Sequence, residues 1–450
     1  MKVGRYLYMA AVVAGLAVSW SLWHPVTAAT PPNAQRFVVD PFYPKPLPDN
    51  WVTGEIGGTC IDANDHLFAV TRGFQTGGLV SPEGVGGAPK SIASPPVIEF
   101  DRDGNVVNAW GDPSLVASGP DAGRNAVLPN GTHGCFVDYQ GNVWIGGNSN
   151  DGVVQKYSHD GKRLLQIGTK FLCDRPDLPG GAGPCVNASQ TGSSRTLLNL
   201  PADIAVDPNP DPVTGQRGSV YIADGYGNHR VVVFDSSGKY LRQMGGVGTG
   251  PGQFTAGDGG HPHCVVLGAD RLVYACDRGQ DRINVYTRDG SFLHAIPVIP
   301  GTGTPGIGTA GSAWDVDFSP DNGQQFMYVS DGGNEIMWIF DHVANTILAG
   351  FGRPGHMAGR GRDGRWSARP EVRAPGQREI QGSRARLSGG RSHPPAAPLR
   401  SRQSELTSPS TAGRRTAPGR RSIGPSSLPR DFGGSGPNAG GGTRRFVAAS

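Results

Sequence analysis

Five side chains in this sequence have types and spacing suited to metal-assisted chemistry. His133 stands just before Cys135-Phe136-Val137, and His263 just before Cys264-Val265-Val266. The two segments look alike, so the imidazoles hold equivalent places in two repeats. Two imidazoles brought to one point can bind zinc or a related ion. Tyr226 follows Ala223-Asp224-Gly225, Arg72 follows Ala69-Val70-Thr71, and Arg278 follows Cys276-Asp277. A tyrosine beside a metal and two guanidiniums is stabilised as phenolate and can act as a base. Each residue also has a plainer role. A histidine at a loop end can simply be solvated, Tyr226 can pack over its turn, and the arginines can pair with acids such as Asp277. His261 is a rival ligand, while His229 and His159 read as solvent-facing hairpin residues.

These residues meet only if the elements carrying them repeat around an axis. The sequence repeats in that way. Val97–Gly104, Val154–Gly161, Val232–Gly238 and Ile283–Gly290 each end a strand on an aromatic and turn through Asp-Gly or Ser-Gly. Asp-Gly suits a hairpin whose two central residues both take positive φ. Upstream of these hairpins lie further strand pairs, such as Cys60–Asp62 with Leu67–Val70 and Ile204–Asp207 with Val220–Ile222. Four meandering strands make one propeller blade, and five such units fit between about residues 55 and 351. A β-sandwich would not explain one internal order recurring five times. In a propeller the start of the innermost strand and the loop between the second and third strands share a face. All five candidate residues therefore belong at one mouth of the central channel.

Tyr221-Ile222-Ala223-Asp224-Gly225-Tyr226-Gly227-Asn228-His229-Arg230-Val231 resembles the signature of peptidyl-α-hydroxyglycine α-amidating lyases. So do Gly250-Pro251-Gly252-Gln253-Phe254, Pro262-His263 and Ala275-Cys276-Asp277-Arg278. The likeness covers roughly residues 55 to 351 and is densest from 200 to 290. It implies an all-β fold, a six-bladed-type NHL β-propeller of which about five blades are present. It also implies a zinc ion on the channel axis held by three histidines, with His133 and His263 matching two. Tyr226 matches the catalytic tyrosine, and Arg72 and Arg278 match active-site arginines. The implied reaction breaks a carbinolamide C–N bond and releases an amide and glyoxylate. The third histidine and a structural calcium position would come from a sixth blade, and nothing after Gly359 supplies them. A non-catalytic propeller that binds a protein, peptide or glycan on the same face is the alternative. A calcium-dependent lactonase would need Asp, Asn and Glu where this chain has His, Arg and Tyr.

The rest of the chain bounds these readings. Residues 1–29 read as an export signal, with Lys2 and Arg5, an apolar run from Leu7 to Trp23 and small residues at Val26–Ala29. That predicts a secreted or periplasmic protein with no stable membrane span. Six cysteines follow, with no CxxC pair. Cys173 and Cys185 close a short loop inside one insertion and are the expected disulfide. Residues 30–358 form the propeller domain, and within it the β-prone Arg36-Phe37-Val38-Val39 is expected to pair with a late strand and help close the ring. Residues 359–450 hold 18 Arg, no Lys and 5 acids. That segment carries +13 in a chain of +4, which leaves −9 for residues 1–358. Its Arg/Gly/Pro/Ser mixture is expected to be disordered and reads as a shifted frame rather than a nucleic-acid arm. The Gly245–Gly250 run lacks the spacing and helix of a nucleotide loop. The expected partner is therefore a small molecule or peptide at the channel mouth.

Overall fold

The computed structural model describes residues 35, 37–72, 92–111, 128–187, 190–256, 260–303 and 311–352. The chain divides into two units, Met1–Gln377 with Phe446–Ser450, and Arg378–Arg445; every described residue belongs to the first. The expected export signal at 1–29 and the expected disordered tail at 359–450 lie outside the described residues.

Strand β1 (Trp51–Val52) pairs in parallel with β4 (Ile92–Ala93). Blade 1 is β2 (Ile56–Ile61), β3 (Leu67–Thr71), β5 (Val97–Phe100) and β6 (Val106–Trp110). Blade 2 is β7 (Thr132–Val137), β8 (Val143–Gly147), β9 (Val153–Tyr157) and β10 (Arg163–Gly168). A small hairpin of β11 (Cys173–Asp174) and β12 (Ala182–Gly183) follows. Blade 3 is β13 (Asp203–Asp207), β14 (Ser219–Asp224), β15 (Arg230–Phe234) and β16 (Tyr240–Gly245). Blade 4 is β17 (Val265–Leu267), β18 (Leu272–Asp277), β19 (Arg282–Thr287) and β20 (Phe292–Pro297). Blade 5 is β21 (Asp315–Phe318), β22 (Phe326–Asp331), β23 (Ile336–Asp341) and β24 (Thr346–Gly352). Each blade is an antiparallel meander, and the fold is the expected five-blade propeller arrangement.

Both faces of a blade pack against neighbours, which is why β14 and β15 are buried along their whole length. Ile222 and Val232 meet Trp144 and Val154 of blade 2. On the other side, Val231 and Val233 meet Val273 and Ala275 of blade 4. Each such aliphatic side chain contributes about 1.5–3 kcal/mol on burial. The inner strands touch in the order β2, β7, β13, β17, β21, so their first residues cluster near one axis.

The hairpins between the third and fourth strands differ from the expected turn. Gly104, Gly161, Gly238 and Gly290 take positive φ, whereas the residues before them do not. A register shift accompanies each, as at Glu99/Phe100 and Val233/Phe234. These are type I turns closed by a glycine bulge. Asp101 shows why: its carboxylate accepts from the N–H groups of Asp103 and Asn105 and holds the turn without a second left-handed residue.

Three disulfides form among the described residues. Cys173–Cys185 is the expected pair. Cys60–Cys135 joins the inner strands of blades 1 and 2, and Cys264–Cys276 closes the start of blade 4. The segment after residue 35 was expected to add a strand to a late blade, and it does not. Val38 is 93% exposed and Val39 80% exposed. The segment is instead anchored by side chains. Phe37 stacks on Tyr328 and Phe351 of blade 5, and Tyr43 and Leu47 cover Ile98 and Phe100 of blade 1. Among the described residues, no helix is long and apolar enough to cross a membrane.

Candidate active site

The strand registers make the inner positions of four blades equivalent. Ala202 and Trp314 hold in blades 3 and 5 the place that His133 and His263 hold in blades 2 and 4. This equivalence orients the imidazoles. His133 Nδ1 lies 2.6 Å from the Ala202 carbonyl, and His263 Nδ1 lies 2.8 Å from the Trp314 carbonyl. A carbonyl can only accept, so each Nδ1 carries the proton and each Nε2 is left with a lone pair. The Gly134 N–H, 3.0 Å from His133 Nδ1, therefore finds no acceptor there. The two rings meet edge to face with centroids 5.1 Å apart.

Burial holds both rings neutral. It pushes His133 down to about 3, with the Arg72 and Arg278 cations adding to the effect. His263 is held well below its usual range by burial first, then by Arg278 and His133. Both rings are half-buried.

Tyr226 comes from the short helix Gly225–Asn228 after β14. Its hydroxyl is 3.4 Å from His133 Nε2, and its ring lies 6.0 Å from that of His263. The helix is held from beneath. Asp224 accepts from Asn228 Nδ2, Arg230 Nε and the Asn199 N–H. Arg230 is fully buried between Asp224 and Asp174, so the Cys173–Cys185 insertion is fastened to the same turn. Asp224, Asn228 and Arg230 are thus the braces of the Tyr226 motif.

Arg278 follows β18 as Tyr226 follows β14. Its guanidinium carbon lies 4.7 Å from the Trp314 ring centroid and 5.7 Å from that of Tyr226. Its Nε is buried without a hydrogen-bond partner, and burial pulls its pKa below the usual value. The neighbouring Asp277 pairs with Arg282 instead. Arg72 has a different engagement. It donates to the Thr132 carbonyl at 2.8 Å, to Asn148 at 3.0 Å and to Glu55 at 2.8 Å. It therefore sits one residue from His133 as a fixed charge with each of its three nitrogens donating.

His261, the rival ligand, stacks on His229 and accepts from the Gly279 N–H. His229 is fully buried, contrary to the solvent-facing expectation, because it caps the Tyr226 helix in a left-handed conformation. His159 is half-exposed and contacts Glu99 at 3.0 Å.

The sequence reading missed two carboxylates. Asp203 and Asp315 are the residues immediately after Ala202 and Trp314. Burial raises both, Asp203 well above its usual value and Asp315 to about 7; the Asp315 charge adds to the Asp203 shift. Asp315 is the more exposed of the two, so solvent screens its shift more. Aligning His263-Cys264-Val265 with Trp314-Asp315-Val316 would have found them.

Two neutral imidazoles with oriented Nε2 atoms fit a borderline divalent ion such as zinc. Among the described residues, no third His, Cys, Asp or Glu joins the pair within 4.8 Å. The pair, a phenol and a buried guanidinium with a free donor can together hold an anionic substrate and move a proton.

No family model matches the chain. NHL repeat-containing protein 3 of Mus musculus is 30% identical over 210 residues, 45% of this chain and 48% of that protein. Peptidylglycine alpha-amidating monooxygenase of Rattus norvegicus is 26% identical over 276 residues, 55% of this chain and 23% of that protein. Peptidyl-alpha-hydroxyglycine alpha-amidating lyase 2 of Drosophila melanogaster is 32% identical over 112 residues, 25% of this chain and 21% of that protein. The matched region spans half or less of each relative. A streptogramin B lyase structure aligns with TM-score 0.38 and 12% identity over 68% of this chain and 71% of that one.

Proposed function

From its standing as an NHL-repeat β-propeller that resembles the amidating enzymes, we propose that this chain carries a metal-assisted carbon–nitrogen lyase centre. The substrate class is a peptidyl-α-hydroxyglycine, and the products are a peptide amide and glyoxylate. The observation that carries this reading is the meeting of His133, His263 and Tyr226, with the Tyr226 hydroxyl 3.4 Å from His133 Nε2.

His133 and His263 would hold a zinc ion through Nε2, their Nδ1 protons staying on the Ala202 and Trp314 carbonyls. When bound, zinc supplies a Lewis acid that favours negative charge on the substrate oxygen. Tyr226 is the general base that takes the proton of the substrate hydroxyl. The freed electron pair forms the aldehyde C=O as the C–N bond breaks, and Tyr226 returns the proton to the nitrogen as the amide leaves. Arg278, whose guanidinium lies over the Tyr226 and Trp314 rings, binds the substrate carboxylate. Arg72 is a positioning residue that fixes Thr132 beside His133. Two imidazoles leave zinc weakly held, because a catalytic site ordinarily has three protein ligands. Three disulfides support an oxidising compartment as the place of action.

The test is glyoxylate release from a hydroxyglycine peptide while zinc is titrated. Turnover is expected to be slow and to need zinc well above stoichiometry. Tyr226→Phe is expected to lower it by about 100-fold or more without changing zinc half-saturation. His263→Ala is expected to abolish the zinc response. No glyoxylate at saturating zinc, or turnover indifferent to Tyr226→Phe, would refute the proposal.

A further inference from the structure

Blade 1 carries a polar cluster at its rim, away from the channel mouth. Asp62 begins the turn between β2 and β3, and His66 ends it. Glu99 lies on β5 opposite Phe68. Ligand atoms of Asp62, His66 and Glu99 all lie within 4.8 Å of one another. His66 Nδ1 is 2.6 Å from Glu99 Oε1. From the next blade, His159 brings Nε2 to 3.0 Å from Glu99 Oε2, with its ring edge-on to Phe68.

Blade 2 shows how the repeat ordinarily fills this place. Asp138 corresponds to Asp62, and Lys156 lies opposite Trp144 as Glu99 lies opposite Phe68. Lys156 Nζ is 3.0 Å from Asp138 Oδ2, and Trp144 Nε1 donates to the same oxygen. Asn142, in the place of His66, donates to Asp138 as well. Blade 1 thus exchanges a lysine for a glutamate, an indole for a phenyl ring and an amide for an imidazole. It removes a cation and adds an anion beside an existing carboxylate.

Among the described residues nothing compensates fully. Glu99 is 2% exposed, and its Oε2 is buried with no hydrogen-bond partner, the His159 contact lying off the donor direction. Arg102, at the same hairpin, is engaged by Asp65 at 2.9 Å and the Asn64 carbonyl at 3.0 Å. A buried carboxylate next to a second one calls for a cation. Two carboxylates with two imidazoles are the donors that zinc-class divalent ions take, whereas calcium and magnesium prefer all-oxygen sets.

We propose that Asp62, His66, Glu99 and His159 form a structural site for a zinc-class divalent ion that fastens blade 1 to blade 2. It is independent of the channel pair. In this site the ion stands where Lys156 stands in blade 2.

The experiment is zinc titration of the full chain by calorimetry, with melting temperature and cobalt(II) absorption as second readouts, in the natural chain and in His263→Ala. One equivalent is expected to bind tightly in both, to raise the melting temperature and to give tetrahedral cobalt bands. Glu99→Lys restores the blade 2 pairing with Asp62. It is expected to weaken zinc by about 100-fold or more and to remove the thermal gain while the metal-free chain melts no lower. His66→Asn, which installs the blade 2 amide, is expected to weaken zinc in the same way and decides the matter if Glu99→Lys fails to fold. Absence of a tight equivalent in His263→Ala, or tight binding unchanged by His66→Asn, overturns the proposal.

Discussion

The side chains at the mouth and along the axis hold opposite protonation habits within one small volume. His133 is pushed down to about 3, so it stays neutral where an unfolded histidine would charge. Its contribution to stability is present above its ordinary value of 6.5 and is lost as pH falls towards 3. Asp315 runs the other way. Its folded value of about 7 lies above the ordinary 3.8, so the native chain keeps a proton that the unfolded chain has released. The stability it contributes is present below 3.8 and is lost as pH rises through 7. Asp315→Asn removes that titration. Its melting temperature relative to the natural chain is expected to be lowest near pH 4 and to rise progressively up to about pH 8. Thermal melts across that range check it, and a gain independent of pH would contradict the assignment. Asp315 is exposed, and solvent screening limits the size of the effect but not its sign.

At the scale of single elements, the turns after the second strands decide where chemistry happens. Tyr226 and Arg278 each follow an aspartate that closes strand β14 or β18 and is tied to the arginine opening the next strand. Gly225 lets the Tyr226 turn approach the segment that carries His263. A Cβ on Gly225 would lie 1.9 Å from the Pro262 carbonyl oxygen, a backbone atom that cannot swing aside. Gly225→Ala is expected to cost about 1–3 kcal/mol of stability by overpacking. It should also raise the zinc concentration for half-saturation of the channel pair, because Pro262 must move and His263 follows it. Denaturant melts and zinc titration test both effects, and an unchanged zinc response would show that the turn yields instead. The hairpin turns were only half legible in the sequence. Asp-Gly announced a turn and a left-handed glycine, but the bulge depended on the aspartate at the start of each turn capturing two backbone N–H groups.

Across the whole molecule, blades 1 and 5 differ from the inner three. The segment from Phe37 to Leu47 supplies apolar cover to both, with Phe37 on blade 5 and Tyr43 and Leu47 on blade 1. Replacing Phe37 and Tyr43 together with alanine is expected to lower stability by about 2–4 kcal/mol in total, since each ring is only partly buried. It should also increase self-association by uncovering Tyr328, Ile339 and Ile98. Calorimetric melts and light scattering read the two effects, and a variant that melts and scatters like the natural chain would mean that the segment is dispensable.

The sequence alone determined the number and order of the blades. A blade is a local meander, and its strand pattern and turn residues are written within about sixty residues of chain. It also placed His133, His263, Tyr226, Arg72 and Arg278 at corresponding ends of those strands, because position within a repeat dictates the face of a propeller. The tertiary structure alone decided what each of them touches. Arg72 spends its donors on Thr132, Asn148 and Glu55, whereas Arg278 keeps a free one beside Tyr226. The Asp203 and Asp315 pair and the Asp62–His66–Glu99–His159 cluster are likewise products of assembly. Their members come from different blades or from strands separated by long insertions. Charge and burial at such places depend on through-space neighbours, and no local pattern encodes those.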